Sequence, residues 1–398
     1  MKKRNGILVI HLFICFSIVA QPYIPNLSEL SLDEKIGQLI MMAAISAPDL
    51  NQQFMQESPY QLDPDWTLTM IQKYHVGGII FLGAGTPKQQ IEVTQRLQSH
   101  SRHPLLIGLD AEWGLSMRHT ADAISFPRAA ELGRLAPDDD FLIYEIGKEI
   151  GRQCAAIGVH INFAPVVDVH TNPHNPVINT RSFGNTPELV SHAATLFMQG
   201  MQAAGILACA KHFPGHGDTS FDSHHTFGTV AHSKKRLQSI ELAPFQHLIH
   251  KGVDSVMIAH LAVPALAEYD QIPATTSHAI STDLLRTHMG FTGLVITDGL
   301  GMKGITDLYD SAEIAVRALK AGADLLLCPV DIPQAIQGIR LAIEQGKLTE
   351  IDIDQRVERV VQAKRKAITQ STPCYNPETL ITPQAQALLQ KVTAAISS

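Results

Sequence analysis

The segment Ile206–His212, ILACAKH, indicates how this chain folds, because an unbroken apolar run ends in two ionisable residues. An apolar run of this length is typical of a strand buried on both faces of a parallel sheet. Four other apolar runs end in the same way, at Asp110, Asp168, His260 and Asp298. One such charge could merely cap a strand or pair with a neighbour. Because buried charge is costly unless it is paired or used, five together predict a polar face at the carboxyl ends of parallel strands.

Eight apolar runs alternate with amphipathic helical patterns along the chain. The predicted strands are Gln38–Ala44, Gly78–Leu82, Leu105–Asp110, His160–Val169, Ile206–His212, Ser255–His260, Leu294–Asp298 and Ala323–Cys328. The predicted helices are Pro87–His100, Phe141–Gly158, Pro187–Ala204, Ser233–Lys251 and Ala312–Ala321. The alternation implies βαβ units, and eight strands match an α/β protein with a TIM (β/α)8 barrel. Periodicity alone leaves open a doubly wound sheet, and the first apolar run could belong to a helix that begins near Asp33.

Composition narrows the class of protein. The chain has 398 residues, 45% of them hydrophobic and 17% charged, which argues against a disordered or fibrous protein. Its net charge of −7 argues against a nucleic-acid-binding protein, which would show a basic face. We expect a single barrel domain over residues 21–370 and a C-terminal tail over residues 371–398. The composition does not indicate an oligomeric state.

The amino terminus resembles an export signal. A positive stretch, Lys2 to Arg4, precedes the apolar stretch Ile7–Ala20, which is short for a membrane span. We therefore predict a signal peptide over residues 1–20, a periplasmic or secreted protein, and no stable membrane span after cleavage. A membrane anchor and a lipoprotein attached at Cys15 are the less favoured alternatives.

The loop Lys211–Thr226, KHFPGHGDTSFDSHHT, concentrates ionisable residues after a strand. Pro and Gly separate His212 from His216, so these two do not form a helical metal-binding pair, and we expect no metal. Asp222 stands two residues before His224, close enough for a turn to join them. A carboxylate that holds one imidazole nitrogen leaves the other nitrogen to transfer a proton. The spacing therefore favours acid–base catalysis.

This loop resembles the signature of the NagZ-like β-N-acetylglucosaminidases of glycoside hydrolase family 3, KH-x-PGHG followed by DSH. Further matches occur in order: Asp110, Glu112 and Arg118 in DAEWGLSMR, Arg181 in NTRSFG, and Asp298 in VITDGL. The resemblance spans roughly residues 32–366. It departs from many relatives at Trp113, which we expect to pack at the barrel rim, although it could also stack on a sugar.

The resemblance implies a role for each matching residue. Asp298 would be the nucleophile, His224 the general acid/base, and Asp222 its partner. The sugar-binding residues would be Asp110, Arg118, Arg181, Lys211 and His212, whereas the position of Glu112 suggests a structural pairing role. His225, His260 and Asp168 are candidates only for lining the pocket.

The implied function is a retaining exo-β-N-acetylglucosaminidase without a cofactor, which acts on peptidoglycan fragments or chitooligosaccharides. Three alternatives stay open. The same barrel could act as a β-glucosidase or β-xylosidase, it could bind wall glycans without catalysis, or it could use phosphate as acceptor in place of water.

Overall fold

Eight parallel strands form the centre of the structure, a computed structural model that describes residues 23–222, 227–368 and 377–397. Together with a separate two-stranded pair, β6 and β8, the strands in chain order are β1 Ile40–Ile45, β2 Gly78–Leu82, β3 Leu106–Leu109, β4 Ile161–Asn162, β5 Leu207–Phe213, β6 Gly228–Thr229, β7 Ser255–Ile258, β8 Leu261–Ala262, β9 Leu294–Thr297 and β10 Leu326–Leu327.

The order of neighbours is β10-β1-β2-β3-β4-β5-β7-β9, so each barrel strand lies beside the next one along the chain. Hydrogen bonds from Thr297 N to Leu325 O and from Leu325 N to Val295 O, both 3.1 Å, join β9 to the segment that enters β10. These bonds close the sheet on itself. The predicted TIM barrel is confirmed, and the open doubly wound sheet is excluded.

Of the eight predicted strands, only Gly78–Leu82 has the observed bounds, and three of the differences have an identifiable local reason. Strand β1 starts at Ile40 because Gln38 ends a helix, Leu32–Gln38, whose first turn is fixed by a capping box between Ser31 and Glu34. Regular pairing in β4 stops before Pro165, which has no N–H to donate to a ladder. Strand β10 ends before Cys328, whose φ of 51° turns the backbone out of the extended region.

The helices surround the barrel. They are α1 Leu32–Gln38, α2 Gln52–Glu57, α3 Pro64–Tyr74, α4 Pro87–His100, α5 Ala129–Leu132, α6 Phe141–Ala156, α7 Pro187–Ala203, α8 Lys234–Ser239, α9 Ala243–His250, α10 Lys303–Thr306, α11 Ser311–Ala321, α12 Ile332–Glu344, α13 Glu350–Ile368, α14 Pro377–Leu380 and α15 Pro383–Ser397, with a π-helix at Ala279–His288. The single helix predicted over Ser233–Lys251 is two, α8 and α9. Pro244 occupies the first turn of α9, where its missing N–H costs no helical hydrogen bond.

The barrel interior is packed by side chains from successive strands. A Cβ atom added at Gly108 would lie 2.8 Å from the ring of Phe163 and 3.3 Å from the sulfur of Met41, so glycine is needed for this close contact. On the outside, α15 follows α14 and packs against α6. Arg152 of α6 donates to the carbonyl oxygen of Leu380 at 3.1 Å, and the ammonium group of Lys391 lies 4.5 Å from the ring centroid of Phe141.

Several sequence predictions concern residues outside the described ranges. The signal peptide over residues 1–20, Cys15 and residues 371–376 of the tail are among them, and the proposed division at residue 370 stays a prediction. Within the described ranges, no helix is both long and apolar enough to cross a membrane.

Candidate active site

A cavity of about 500 Å³ lies at the carboxyl ends of the barrel strands. Seven of the residues that the sequence singled out line it, and they come from four strands or the loops that follow them: Asp110, Glu112, Arg118, Arg181, Lys211, His212 and Asp298. The barrel therefore brings together side chains that lie far apart in the sequence, up to the 188 positions that separate Asp110 from Asp298. This is the face on which TIM barrels build their catalytic sites.

Asp110, directly after β3, lies between two cations. Arg118 Nη2 donates to its Oδ2 atom at 2.6 Å, and Lys211 Nζ donates to its Oδ1 atom at 3.0 Å. Burial disfavours the charged carboxylate, but Lys211 and Arg118 outweigh burial and hold the pKa of Asp110 below its ordinary value. The carboxylates of Asp110 and Glu112 in turn raise the pKa of the buried Lys211 ammonium, against the effect of burial, so Asp110 and Lys211 are both charged at neutral pH.

Glu112 binds two cations, Arg181 and Lys211. Arg181 contacts it through two nitrogens, Nε at 2.9 Å and Nη2 at 2.7 Å, and Lys211 Nζ lies 2.8 Å from its Oε1 atom. Against the effect of burial, these cations lower the pKa of Glu112 to about 2. We call Asp110, Glu112, Arg118, Arg181 and Lys211 the charged network. Glu112 has the pairing role expected of it, since it holds Arg181 and Lys211 in fixed positions.

His212 is oriented by Asp168, which is fully buried beneath the cavity. Asp168 Oδ2 lies 2.7 Å from His212 Nδ1 and accepts from the backbone N–H of His212 at 3.1 Å, while its Oδ1 accepts from the N–H of His216 at 2.6 Å. A carboxylate at Nδ1 selects the tautomer with the proton there. Nε2 then faces Arg181 Nη2, 3.4 Å away, as an acceptor. Asp168 was a candidate for lining the pocket. It does not line the cavity and instead orients His212, which does.

Asp298 follows β9 and is held at the edge of the cavity by its backbone. Its N–H donates to the carbonyl oxygen of Ile258 at 2.9 Å, and its Oδ1 atom accepts from the N–H of Gly299 at 2.8 Å. His260, also expected to line the pocket, is fully buried, and its Nε2 atom donates to the carbonyl oxygen of Gly299 at 3.0 Å. His260 therefore supports the turn after Asp298 from the interior.

The stem of the loop after β5 is fixed by buried hydrogen bonds. His216 Nδ1 lies 2.7 Å from Thr219 Oγ1, and Asn175 Nδ2 donates to the carbonyl oxygen of His216 at 2.8 Å. Burial lowers the pKa of His216 to about 4, assisted by the nearby His212, so His216 is neutral near pH 7. The packing of this stem indicates a structural role for His216.

The far part of the same loop carries the predicted acid/base pair. Asp222 is half-buried and lies at the end of a described range, and it is not among the residues that line the cavity. His224 and His225 lie outside the described residues. The roles of His224 and Asp222 accordingly stay predictions.

The sequence reasoning missed Phe54 and Tyr60, which line the cavity from the segment between β1 and α3. A Cβ atom at Gly299 would lie 2.8 Å from the Tyr60 hydroxyl oxygen, and one at Gly301 would lie 2.3 Å from its ring. Burial, with Cys328 and Asp298 nearby, raises the pKa of Tyr60. The sequence does contain one signal for Tyr60. Two glycines two positions apart follow Asp298 directly, and such a pair indicates that a ring packs closely against the backbone there.

Two smaller expectations can also be compared with the structure. The guanidinium carbon of Arg128 lies 3.3 Å from the ring centroid of Trp113, and Trp113 is not among the lining residues of the cavity, so its packing at the rim stays a prediction. In the part of the chain that the structure describes, no group of three or more His, Cys, Asp or Glu side chains is arranged to hold a metal ion.

The barrel is similar in sequence to known proteins. Residues 31–363 match the model of the glycosyl hydrolase family 3 N terminal domain. Beta-hexosaminidase A of Pseudoalteromonas piscicida is 33% identical over 325 residues, which cover 75% of this chain and 54% of that protein. The chain thus spans about half the length of that relative. Beta-hexosaminidase LpqI of Mycobacterium tuberculosis is 32% identical over 346 residues, which cover 84% of this chain and 83% of that protein.

A solved structure gives the same result for the fold. The glycoside hydrolase family 3 beta-N-acetylglucosaminidase from Paenibacillus sp. aligns with a TM-score of 0.81 at 36% identity, over 92% of this chain and 69% of that one. The match to the family model covers most of the barrel described above.

Proposed function

Because this chain belongs to glycosyl hydrolase family 3, we propose that it is a retaining exo-β-N-acetylglucosaminidase, a hydrolase that removes terminal β-linked N-acetylglucosamine from peptidoglycan fragments or chitooligosaccharides. One observation carries the proposal: Asp298 lines the same cavity as all five members of the charged network and His212. The beta-hexosaminidase names of the relatives support the choice of sugar.

In the first step, the Asp298 carboxylate attacks the anomeric carbon while the glycosidic C–O bond breaks, and His224 donates a proton to the departing oxygen. Retaining glycosidases normally place two carboxyl groups about 5–5.5 Å apart for these tasks. Here an imidazole paired with Asp222 takes the place of the second carboxylic acid. The sequence predicts a loop position for that imidazole, and the glycines that precede it would let such a loop close over the bound sugar.

In the second step, a water molecule attacks the same carbon from the face that the leaving group vacated. His224, now neutral, accepts the proton of the water as the new C–O bond forms, and the bond to Asp298 breaks. Two inversions at one carbon leave the β configuration unchanged. The products are free N-acetylglucosamine and the shortened glycan.

The sugar is held by groups that are fixed before it arrives. Asp110, Arg118, Arg181 and Lys211 are charged, and each is already bound to a partner in the network. Charged groups form stronger hydrogen bonds to hydroxyls than neutral groups do. Because the network sets their positions, little side-chain freedom is lost when the sugar binds.

The substrate claim is tested by comparing hydrolysis of an aryl β-N-acetylglucosaminide with that of the matching aryl β-glucoside and β-xyloside. We expect a clear preference for the N-acetyl sugar and, by NMR, a β-configured first product. A preference for the glucoside would contradict the proposed specificity. Release of a sugar 1-phosphate in phosphate buffer would identify phosphate as the acceptor, and binding without any turnover would favour a non-catalytic wall-glycan-binding protein.

The acid/base pair is tested with Asp222→Ala and His224→Ala. Both variants should lose most of their kcat/KM on a substrate with a poor leaving group and much less on one with a good leaving group, because kcat/KM reports the first step and a good leaving group needs little protonation. Thermal unfolding should be nearly unchanged, because the sequence predicts both residues on a loop rather than in the core. Unchanged turnover on the poor leaving group would mean that another residue supplies the proton.

We also propose that residues 1–20 direct export, with the enzyme periplasmic or secreted. Expression of the chain with and without these residues, followed by fractionation and activity measurement, tests this. Activity retained in the cytoplasm by the full-length chain would contradict it.

A further inference from the structure

The walls of the active-site cavity differ in chemistry from one side to the other. Most of the charged side chains come from β5 and the loops after β3 and β4, and Asp298 adds one directly after β9. The opposite wall is mostly apolar and comes from β1 and β2 with their following segments and from β7, β9 and β10: Phe54, Tyr60, Ile80, Leu82, Met257, Met302, Leu327 and Cys328. A sugar has both polar edges and apolar C–H faces, so the apolar wall is suited to ring faces.

Within that wall, Phe54 differs from the other lining residues in its exposure. It is 39% exposed, whereas Lys211 and His212 on the charged side are 3% and 6% exposed and Met302 is 7% exposed. Among all the lining residues, each of which the structure describes, Phe54 alone is exposed, and the others are buried or half-buried. Phe54 therefore lies at the opening of the cavity rather than at its floor.

The position of Phe54 is fixed by a buried residue three places earlier. The Asn51 side chain, only 3% exposed, donates to the carbonyl oxygens of Ala47 at 2.7 Å and Ala84 at 2.6 Å, and accepts from the N–H of Ala84 at 2.7 Å. These bonds tie the short helix α2 to the loop after β2. Gly83, with a φ of 71°, completes the contact, because a Cβ atom there would lie 2.4 Å from Asn51 Oδ1 and 3.4 Å from the Phe54 ring.

We propose that Phe54 is a specificity-determining residue that stacks on the sugar ring of the leaving group. This inference rests on the proposed function. An enzyme that cleaves terminal residues holds the terminal sugar at the closed end of its cavity, so the rest of the glycan leaves through the opening. An exposed aromatic ring held in place at the opening meets the next sugar at little cost in conformational entropy. The ligand class is a β-linked glycan whose second residue presents an apolar ring face.

The test compares two donors that share the terminal sugar. N,N′-diacetylchitobiose has a second sugar ring as its leaving group, and N-acetyl-β-glucosaminyl fluoride has none. For Phe54→Ala we expect kcat/KM on the disaccharide to fall by about three- to tenfold, the size of one aromatic stacking contact, with kcat/KM on the fluoride unchanged. Phe54→Trp should retain the disaccharide activity. Phe141→Ala, which removes another exposed phenylalanine, 44% exposed and outside the cavity lining, is the matched control and should change neither value.

A second variant separates stacking from a general effect on the fold. Asn51→Ala leaves the Phe54 ring intact but removes its anchor, and it should produce the same selective loss on the disaccharide. Equal losses on both donors would overturn the inference, because Phe54 would then act on the terminal sugar or on the fold. An unchanged disaccharide value in Phe54→Ala would also overturn it. Wild-type protein that cleaves neither donor would refute the proposed function itself, and this inference with it.

Discussion

Replacement of Glu112 by Gln tests whether the charged network stabilises the fold. The change keeps the shape of the side chain and removes its negative charge. Asp110, Glu112 and three cations carry one excess positive charge, and the variant would carry two. The Glu112 side chain is only 7% exposed, so solvent screens the lost interactions weakly. A carboxyl group whose pKa is about 2 when folded instead of the ordinary 4.5 contributes roughly 3 kcal/mol to the free energy of unfolding.

The sign of the pH dependence follows from proton binding. Between pH 4.5 and about 2 the unfolded chain binds a proton at Glu112 and the folded chain does not, so folding is favoured as the pH rises. The contribution is complete above pH 4.5 and is lost as the pH falls through about 2. We therefore expect Glu112→Gln to be less stable than wild type by roughly 3 kcal/mol at pH 7, with the difference shrinking in acid.

Urea denaturation at pH 7 and at several values below pH 4.5 measures this difference. Glu92→Gln is the control, because Glu92 forms an exposed ion pair with Lys88, 3.9 Å apart on one helix. That change should alter the free energy of unfolding by less than about 1 kcal/mol. A Glu112→Gln difference that is as small as the control, or that is equally large at every pH, would refute the reasoning from the pKa.

Three further changes probe other parts of the site. Asp298→Asn should reduce turnover of an aryl β-N-acetylglucosaminide roughly ten-thousandfold with little change in melting temperature, and a small reduction would exclude Asp298 as nucleophile. Gly301→Ala places a Cβ atom 2.3 Å from the Tyr60 ring, so Tyr60 must move, and we expect a lower kcat/KM without loss of the fold. Arg286→Leu leaves the fully buried Asp324 without one of its cations and should lower the free energy of unfolding in urea by about 3 kcal/mol, with kcat unchanged.

The barrel could be predicted because its signal is local and repeated. Each buried parallel strand must be apolar on both faces, so each leaves a readable run, and the polar residue at its end marks the face of the site. Strand lengths could not be predicted in the same way. The run through Pro165 continues as apolar sequence after the regular pairing has ended, since hydrophobicity does not report whether a backbone N–H is available.

The contacts between residues of the site were less predictable from the sequence than the identity of those residues. Lys211 contacts Asp110 across 101 positions of sequence and Arg181 contacts Glu112 across 69, and it is the parallel pairing of β3, β4 and β5 that brings these residues together. The matching motifs indicated which residues belong to the site, but they did not indicate that Asp168 would form the hydrogen bond that orients His212. Phe54 and Asn51 lie on a segment without helical or strand periodicity, so no pattern in the sequence marked them.

A charged site of this kind can exist without substrate because its charges pair with one another. Five ionisable groups in a partly closed cavity would each be costly if isolated, and the observed contacts leave every one of them bound to an opposite charge. Lys211 is central, since it contacts both carboxylates from a side chain that is only 3% exposed. If the same geometry positions the sugar, changes in the network must alter stability and substrate binding together, whereas Phe54, at the opening and outside the network, should alter substrate preference alone.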